Sequence, residues 1–361
     1  MRNLIAIFAA NKLLLLITAA IAAILIPSGA IYFENLASYD SGSVFLNGWS
    51  LWDSNSYIQI ARDGYFGRYF AYFPLWPIVL RIGAIFTLGN YALAGLILNL
   101  IFSFGAAVMI WKLCKLEFKD EKTGLWANIF LFFFPTAFFL TALYAESLLL
   151  FLGVAGIYFL RKKNWWLAGI AVFFASMTKE VGGVMLLPLL YVAWKEKKWL
   201  LPMAPILGVT AVLAIYYFTS GDPLIFLKQH EGFGKTLSLP HVPIIHALQN
   251  IDNPYHAWNL FCFGFTAVLT HQVYKLLPKE YFLYCIAVLG PGLMSSNLEG
   301  YSRYLLIGFP MFMVLGKFHK KLSVKSMYVI FLLLLLIFTV RYVLGETGAF
   351  PFDRLPTIGL T

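Results

Sequence analysis

The run LLLLITAAIAAILIPSGAIYF, residues 13–33, contains no charged side chain. A bilayer's hydrocarbon core, about 30 Å thick, takes roughly 20 apolar residues as a helix, so this run is long enough to cross it. MYVIFLLLLLIFTV, residues 327–340, repeats the pattern near the other end of the chain. Both runs are continuous rather than alternating, which points to helices and away from the strands of a barrel. Of the 361 residues, 60% are hydrophobic and 12% charged. Soluble domains carry about 25% charged residues. The expected fold class is an all-α polytopic membrane protein.

Eleven spans are expected, at roughly 13–33, 90–112, 124–140, 145–160, 165–177, 181–194, 199–218, 257–275, 281–295, 304–317 and 326–344. With these spans, 18 of the 27 Lys and Arg residues fall on one side, among them Arg2, Lys12 and the clusters at 161–163 and 195–198. Twelve of the 17 acidic residues fall on the other side. The positive-inside rule then puts the N-terminus and the lysine clusters in the cytoplasm. The net charge of +10 orients the chain in a membrane and forms no nucleic-acid patch. Cys114, Cys262 and Cys285 show no CxxC spacing and suggest no disulfide framework. The first span is too long for a cleaved signal peptide and is expected to remain as an anchor. Residues 1–361 read as a single membrane domain, multi-pass in the plasma (inner) membrane, with long outer loops at about 34–89 and 219–256.

Function is expected in those outer loops. LWDSNSYIQIARDGY, residues 51–65, sets two aspartates and an arginine among aromatic residues. Asp53 or Ser54 can cap a short helix that Gly64 ends. A second short helix, about 75–88, carries Pro77 in its first turn. The surrounding aromatic rings favour the headgroup level, so both helices are expected to lie flat on the outer leaflet. Asp53 is either a helix cap or a base, and Tyr57 follows it one turn on.

Four further stretches carry polar side chains at outer margins. TALYAES (141–147) brings Glu146 to a helix first turn, where its charge suits the macrodipole. SMTKEVGG (176–183) interrupts an apolar run with Lys179 and Glu180, which snorkel or face a polar cavity. GDPLIFLKQHEGFGKTLSLP (221–240) holds Gln229 and Lys235. Its neighbouring histidines match no metal-ligand spacing, so no metal is expected. NLEGYSRYLL (297–306) sets Arg303 at an outer helix end, where arginine suits a phosphate oxygen.

WDSNSYIQIARDGY followed by AYFPLWPIVLR resembles the first-loop signature of the PIG-V family, the second mannosyltransferase of GPI-anchor assembly and its prokaryotic relatives. FFPTAFFLTALYAESLLL, the GDPL loop and SRYLLIGFP resemble later blocks of the family in the same order, over roughly residues 49–316. Lys179 stands where relatives often carry arginine, and Phe233 where they often carry tryptophan. The resemblance implies a GT-C glycosyltransferase that moves a sugar, mannose in the family, from a polyprenyl-phosphate donor to an acceptor hydroxyl at the outer face. The acceptor is a glycan, a lipid or a protein. Asp53 would be the base, and Tyr57, Glu146, Lys179, Gln229, Lys235 and Arg303 would hold the substrates.

A polyprenyl phosphate leaves as a stable anion and needs no general acid, so one base and fixed cations suffice, with inversion and no cofactor. The rival class is a transporter or flippase of lipid-linked sugars, in which repeated halves and midplane charges are common. No repeat is visible here, and the charges gather at the outer margin. Eleven spans put the two chain ends on opposite sides. Reporter fusions at the two ends should therefore report opposite sidedness, and a cytoplasmic C-terminus would overturn the count.

Overall fold

The computed structural model describes residues 1–25, 39–232 and 236–343. Among these residues the structure is helical, and an isolated bridge between Leu237 and Ser295 is the sole strand-like pairing. Among the described residues, helical structure is found in every expected span, although residues 26–33 of the first lie outside the described residues. Four helices, Arg2–Ile24, Tyr91–Phe118, Met203–Ser220 and Leu322–Val343, are long and apolar enough to cross a membrane. The chain is an all-α, multi-pass membrane protein. Of the remaining expected spans, one meets the long but less apolar helix Pro254–Leu276, and the others meet shorter or broken helices: Glu121–Phe132, Glu146–Arg161, Trp165–Thr178, Glu180–Val184 with Leu186–Glu196, Lys279–Leu293, and Tyr301–Ile307 with Phe309–Lys317.

The first helix begins at Arg2 rather than at residue 13, so Lys12 lies within a helix and not ahead of one. Lys12 is buried in mid-helix. Its ammonium donates to the Leu140 carbonyl at 3.1 Å and to Thr141 Oγ1 at 2.8 Å, beside the rings of Phe8 and Phe132. A charge with two oxygens and two aromatic faces can sit inside a span. The hydropathy of its neighbours did not reveal those partners.

The segment that Lys12 meets is the main irregularity of the fold. Asp120 caps the Glu121–Phe132 helix through the Lys122 and Thr123 amides. That helix stops at Phe132 because Pro135 has no N–H to donate and disfavours helical geometry at the residue before it. Residues 133–145 are unwound apart from a 3₁₀ turn at Ala137–Leu140, and every one of them is buried. Buried backbone carbonyls need donors. Asn11 Nδ2 supplies the Phe132 carbonyl at 2.7 Å, and Ser147 Oγ joins Lys12 on Leu140 at 2.9 Å. Trp76 Nε1 reaches the Leu143 carbonyl at 2.9 Å. Asn99 Nδ2 donates to Ala142 and, at 3.2 Å, to Tyr144.

The first loop forms the two expected short helices, Asp53–Asp63 and Leu75–Phe86, with Gly64 ending the first at φ 89°. Their setting differs from the expectation. Ser54 through Ala61 are all buried, so the Asp53–Asp63 helix is enclosed by protein rather than lying flat on a surface. The Leu75–Phe86 helix buries Leu75, Trp76, Leu80 and Ala84 and turns Ile78, Ile82, Ile85 and Phe86 outward. Arg81 is exposed beside them, so the outward face is apolar apart from one charge.

Asn99→Leu replaces the amide by an apolar group of similar shape; the Tyr144 carbonyl loses its side-chain donor and the Ala142 carbonyl keeps only the Tyr144 amide. A buried carbonyl left without a donor costs about 1–3 kcal/mol. Thermal unfolding in detergent should show a clear loss of stability. An unchanged midpoint would mean that residues 133–145 are not held this way.

Candidate functional site

Trp52 precedes the Asp53–Asp63 helix at φ 58° and ψ −128°, a conformation that a residue with a Cβ rarely adopts. Such strain costs of order 1–3 kcal/mol and persists only where the surroundings enforce it. Its effect is to begin the helix at Asp53 with no side-chain cap bond. Asp53 is therefore not a cap in this structure. Its carboxylate turns instead to two partners far along the chain: Arg303 Nη1 donates to Oδ2 at 2.6 Å, and the Tyr72 hydroxyl donates to Oδ1 at 3.0 Å.

Tyr72 is itself held. Its carbonyl accepts from the hydroxyls of Tyr65 at 2.7 Å and Tyr216 at 3.1 Å, and its ring meets Tyr57 edge-on at 5.0 Å. Burial opposes the charge on Asp53. The Arg303 charge and hydrogen bond, followed by the charge of Lys179 and the Tyr72 bond, outweigh it and hold the carboxyl below its ordinary range. Asp53 is thus ionised at neutral pH. The stability that its pairing contributes is present above the ordinary carboxylate range and is lost as pH falls through the folded value.

Arg303 lies in the short Tyr301–Ile307 helix, which starts from Gly300 at φ 75°. Its guanidinium stands over the rings of Phe139 and Tyr144, at 5.5 Å and 5.4 Å, both supplied by the unwound segment. A Cβ at residue 300 would come within 3.3 Å of Nε and Nη2, so glycine there keeps that edge of the fork clear. Thr136 Oγ1 donates to the Ser302 carbonyl at 3.2 Å and ties the unwound segment to the arginine's helix.

Glu146 opens the Glu146–Arg161 helix and is 1% exposed. Lys179 Nζ donates to it at 3.1 Å and lies over the Tyr304 ring at 4.8 Å. Lys179 is extended at the break between two helices, so its side chain projects inward to Glu146. The reversal is tight because Gly182 sits against the Ala175 carbonyl, where a Cβ would not fit. Tyr304 also donates to Glu180 at 2.9 Å.

Asp53, Glu146, Lys179 and Arg303 thus meet in one cluster, with Tyr57 behind Tyr72. Gln229 lies on the Ile225–Gly232 helix, which packs against the Gly67–Ala71 turn just before Tyr72. Among the described residues no hydrogen bond joins it to the cluster, and Lys235 lies outside the described residues. Tyr72, Tyr144, Tyr304 and Glu180 were absent from the expected site. In sequence Tyr72 is one aromatic among many, and nothing marks it as the donor to Asp53. At the opposite end, Arg161 bridges Glu117 and Glu280 at 2.7 Å each, with Tyr281 on Glu117 at 2.9 Å. Among the described residues no group of three or more His, Cys, Asp or Glu is placed to hold a metal ion.

Fold and cluster together describe a membrane protein that concentrates two acid–base pairs at an unwound segment. Residues 5–195 match the Mannosyltransferase (PIG-V) family. The chain belongs to that family. It is 30% identical to the GPI alpha-1,6-mannosyltransferase 2 of Mus musculus over 151 residues, covering 39% of this chain and 31% of the mouse protein. Identity to the Cricetulus griseus protein of the same name is 26% over 199 residues, covering 51% of this chain and 40% of the relative. The Rattus norvegicus protein gives 29% over 191 residues, or 47% and 38%. The alignments thus span well under half the length of these curated relatives. Asp53, Tyr72, Glu146 and Lys179 fall inside the matched family region, and Arg303 lies beyond it.

In the Lys179–Glu146 pair the carboxylate is buried and the lysine mostly so, with side chains 1% and 14% exposed. Lys179→Met strands a buried carboxylate and should destabilise the protein by about 3–5 kcal/mol. Adding Glu146→Gln should restore part of that loss in thermal unfolding. A double variant whose loss equals the sum of the two single losses would show that the two side chains are not coupled.

Proposed function

We propose that this chain is a GT-C-type glycosyltransferase of the polyprenyl-phosphate-sugar-dependent, mannosyl-transferring kind. The observation that carries the reading is the Asp53 carboxylate set between Arg303 and Tyr72, with Lys179 near enough to influence its charge, in a chain of the PIG-V mannosyltransferase family. An inverting transfer from a lipid phosphate needs one base and a cation for the leaving group. The cluster holds both.

In this reading an acceptor hydroxyl gives its proton to Asp53 as its oxygen bonds to C1 of the sugar. The bond from C1 to the phosphate oxygen breaks on the opposite face, and the polyprenyl phosphate leaves with that electron pair. The anomeric centre inverts. Arg303 receives the growing phosphate charge on its Nε/Nη2 edge beside Gly300, and Lys179 adds a second positive charge. Glu146 holds Lys179 in place, while Tyr57, Gln229 and Lys235 are assigned to substrate contacts. The leaving group is already a stable anion, so the step as written calls on no metal or cofactor.

The shared arginine has a consequence. A carboxylate paired with a guanidinium is a weak base, and a phosphate that draws on the same guanidinium loosens that hold. Donor binding therefore raises the basicity of Asp53 just when a base is needed, and free enzyme is a poor catalyst of side reactions. In the same reading all eleven spans lie in a plasma membrane as one unit. The N-terminus is cytoplasmic, the cluster is at the outer face, and the apolar face of the Leu75–Phe86 helix lies in the outer leaflet.

The test offers radiolabelled polyprenyl-phosphate mannose and cell-derived acceptor pools to purified protein. Asp53→Asn should lower transfer by roughly 10²- to 10⁴-fold with folding intact. Donor binding to the same variant should be as tight as wild type or tighter, because Arg303 no longer serves a carboxylate. Near wild-type transfer in Asp53→Asn would remove the base assignment. Movement of intact lipid across vesicles without transfer would favour a flippase.

A further inference from the structure

A groove of about 790 Å³ lies between the Trp165–Thr178 and Met203–Ser220 helices, at the end where the lysine-rich turns sit. Lys179, of the cluster, follows the other end of the same Trp165–Thr178 helix. Trp165, Trp166 and Trp199 line its mouth, and Phe173, Phe174 and Leu207 line its depth. Residues 165 to 174 span roughly 13 Å along a helix, most of the hydrocarbon half of one leaflet. Its volume is within the range of sites that enclose a small ligand, about 300–1,000 Å³.

The mouth carries charge of one sign. Lys197 and Lys198 line it, and neither has an ion-pair partner among the described residues, whereas the neighbouring Glu196 is taken by Lys163 at 3.0 Å. Lys197 also holds the left-handed position that ends the Leu186–Glu196 helix, at φ 58°. That position ordinarily favours glycine or asparagine. Indole rings favour the headgroup level, and each lysine near an anionic lipid surface contributes about 1 kcal/mol.

We propose that this groove is a binding site for one glycerophospholipid with an anionic headgroup. Its phosphate meets Lys197 and Lys198 between the tryptophans, and an acyl chain fills the space down to Phe174 and Leu207. Bound there, the lipid braces the two helices whose far ends carry Lys179 and Tyr216.

The test is native mass spectrometry of the delipidated full-length protein, titrated separately with phosphatidylglycerol and phosphatidylcholine. One phosphatidylglycerol should be retained in preference to phosphatidylcholine. Lys197→Gln with Lys198→Gln should reduce that preference by roughly tenfold or more. Gly169→Leu sends a side chain into the groove, and a Cβ there meets Ala204 Cβ at an ordinary 3.6 Å. This variant should lose the retained lipid of either kind. Equal retention of the two lipids by wild type, or an undiminished preference in the lysine variant, would overturn the proposal and leave only annular lipid. If Gly169→Leu fails to fold, the lysine variant alone decides.

Discussion

An unwound, fully buried stretch of backbone is the constraint on which the rest of this structure depends. Residues 133–145 leave the helix after Phe132, ahead of Pro135, and return to it at Glu146, and all of them are buried. The donors come from four other helices: Asn11 and Lys12 from Arg2–Leu25, Trp76 from Leu75–Phe86, Asn99 from Tyr91–Phe118, and Ser147 from Glu146–Arg161. Each bond pins an element as well as a carbonyl. The result is a rigid seat for Phe139, Tyr144 and Glu146, the three side chains that receive Arg303 and Lys179.

That seat explains how two cations can be held among aromatic rings without being lost to solvent. Burying a charge is expensive, and a pair repays that expense only when its geometry is good. Arg303 obtains a carboxylate at 2.6 Å and two ring faces, and Lys179 obtains a carboxylate and one ring face. The arrangement adds little net stability compared with an apolar core of equal volume. What it provides is charge at a fixed place in a low-dielectric setting, which is what a phosphate-leaving reaction uses.

The family blocks fall on the irregular parts of the fold. The first-loop stretch that resembles the family forms the enclosed Asp53 helix and runs on through Tyr72 into the Leu75–Phe86 helix, FFPTAFFLTALYAES is the unwound segment, and SRY carries Arg303. A helical membrane protein can vary its lipid-facing residues freely while they stay apolar. Its broken segments need particular donors and acceptors, so sequence character concentrates there.

Much of the helix framework was legible in the sequence, because an apolar run of sufficient length in lipid has no alternative to a helix. The short helices at Asp53 and Leu75 were legible too, from Gly64 and from Pro77 in a first turn. Asp53, Glu146, Lys179 and Arg303 could each be singled out because a charge at an apolar margin is costly and so conspicuous. What the sequence could not reveal was the partner of each charge. Lys12 read as a cytoplasmic residue because hydropathy counts the charge and knows nothing of the Leu140 carbonyl, 128 positions away. Asp53 could equally have been a cap, and Tyr72 was one ring in an aromatic belt. By itself the sequence determined an orientable membrane helix array with polar blocks at its margins, since those follow from local hydrophobicity and charge. Only the tertiary structure decided that the first loop is enclosed and that Asp53 faces Arg303 across 250 residues, because such pairings depend on which buried groups must satisfy one another.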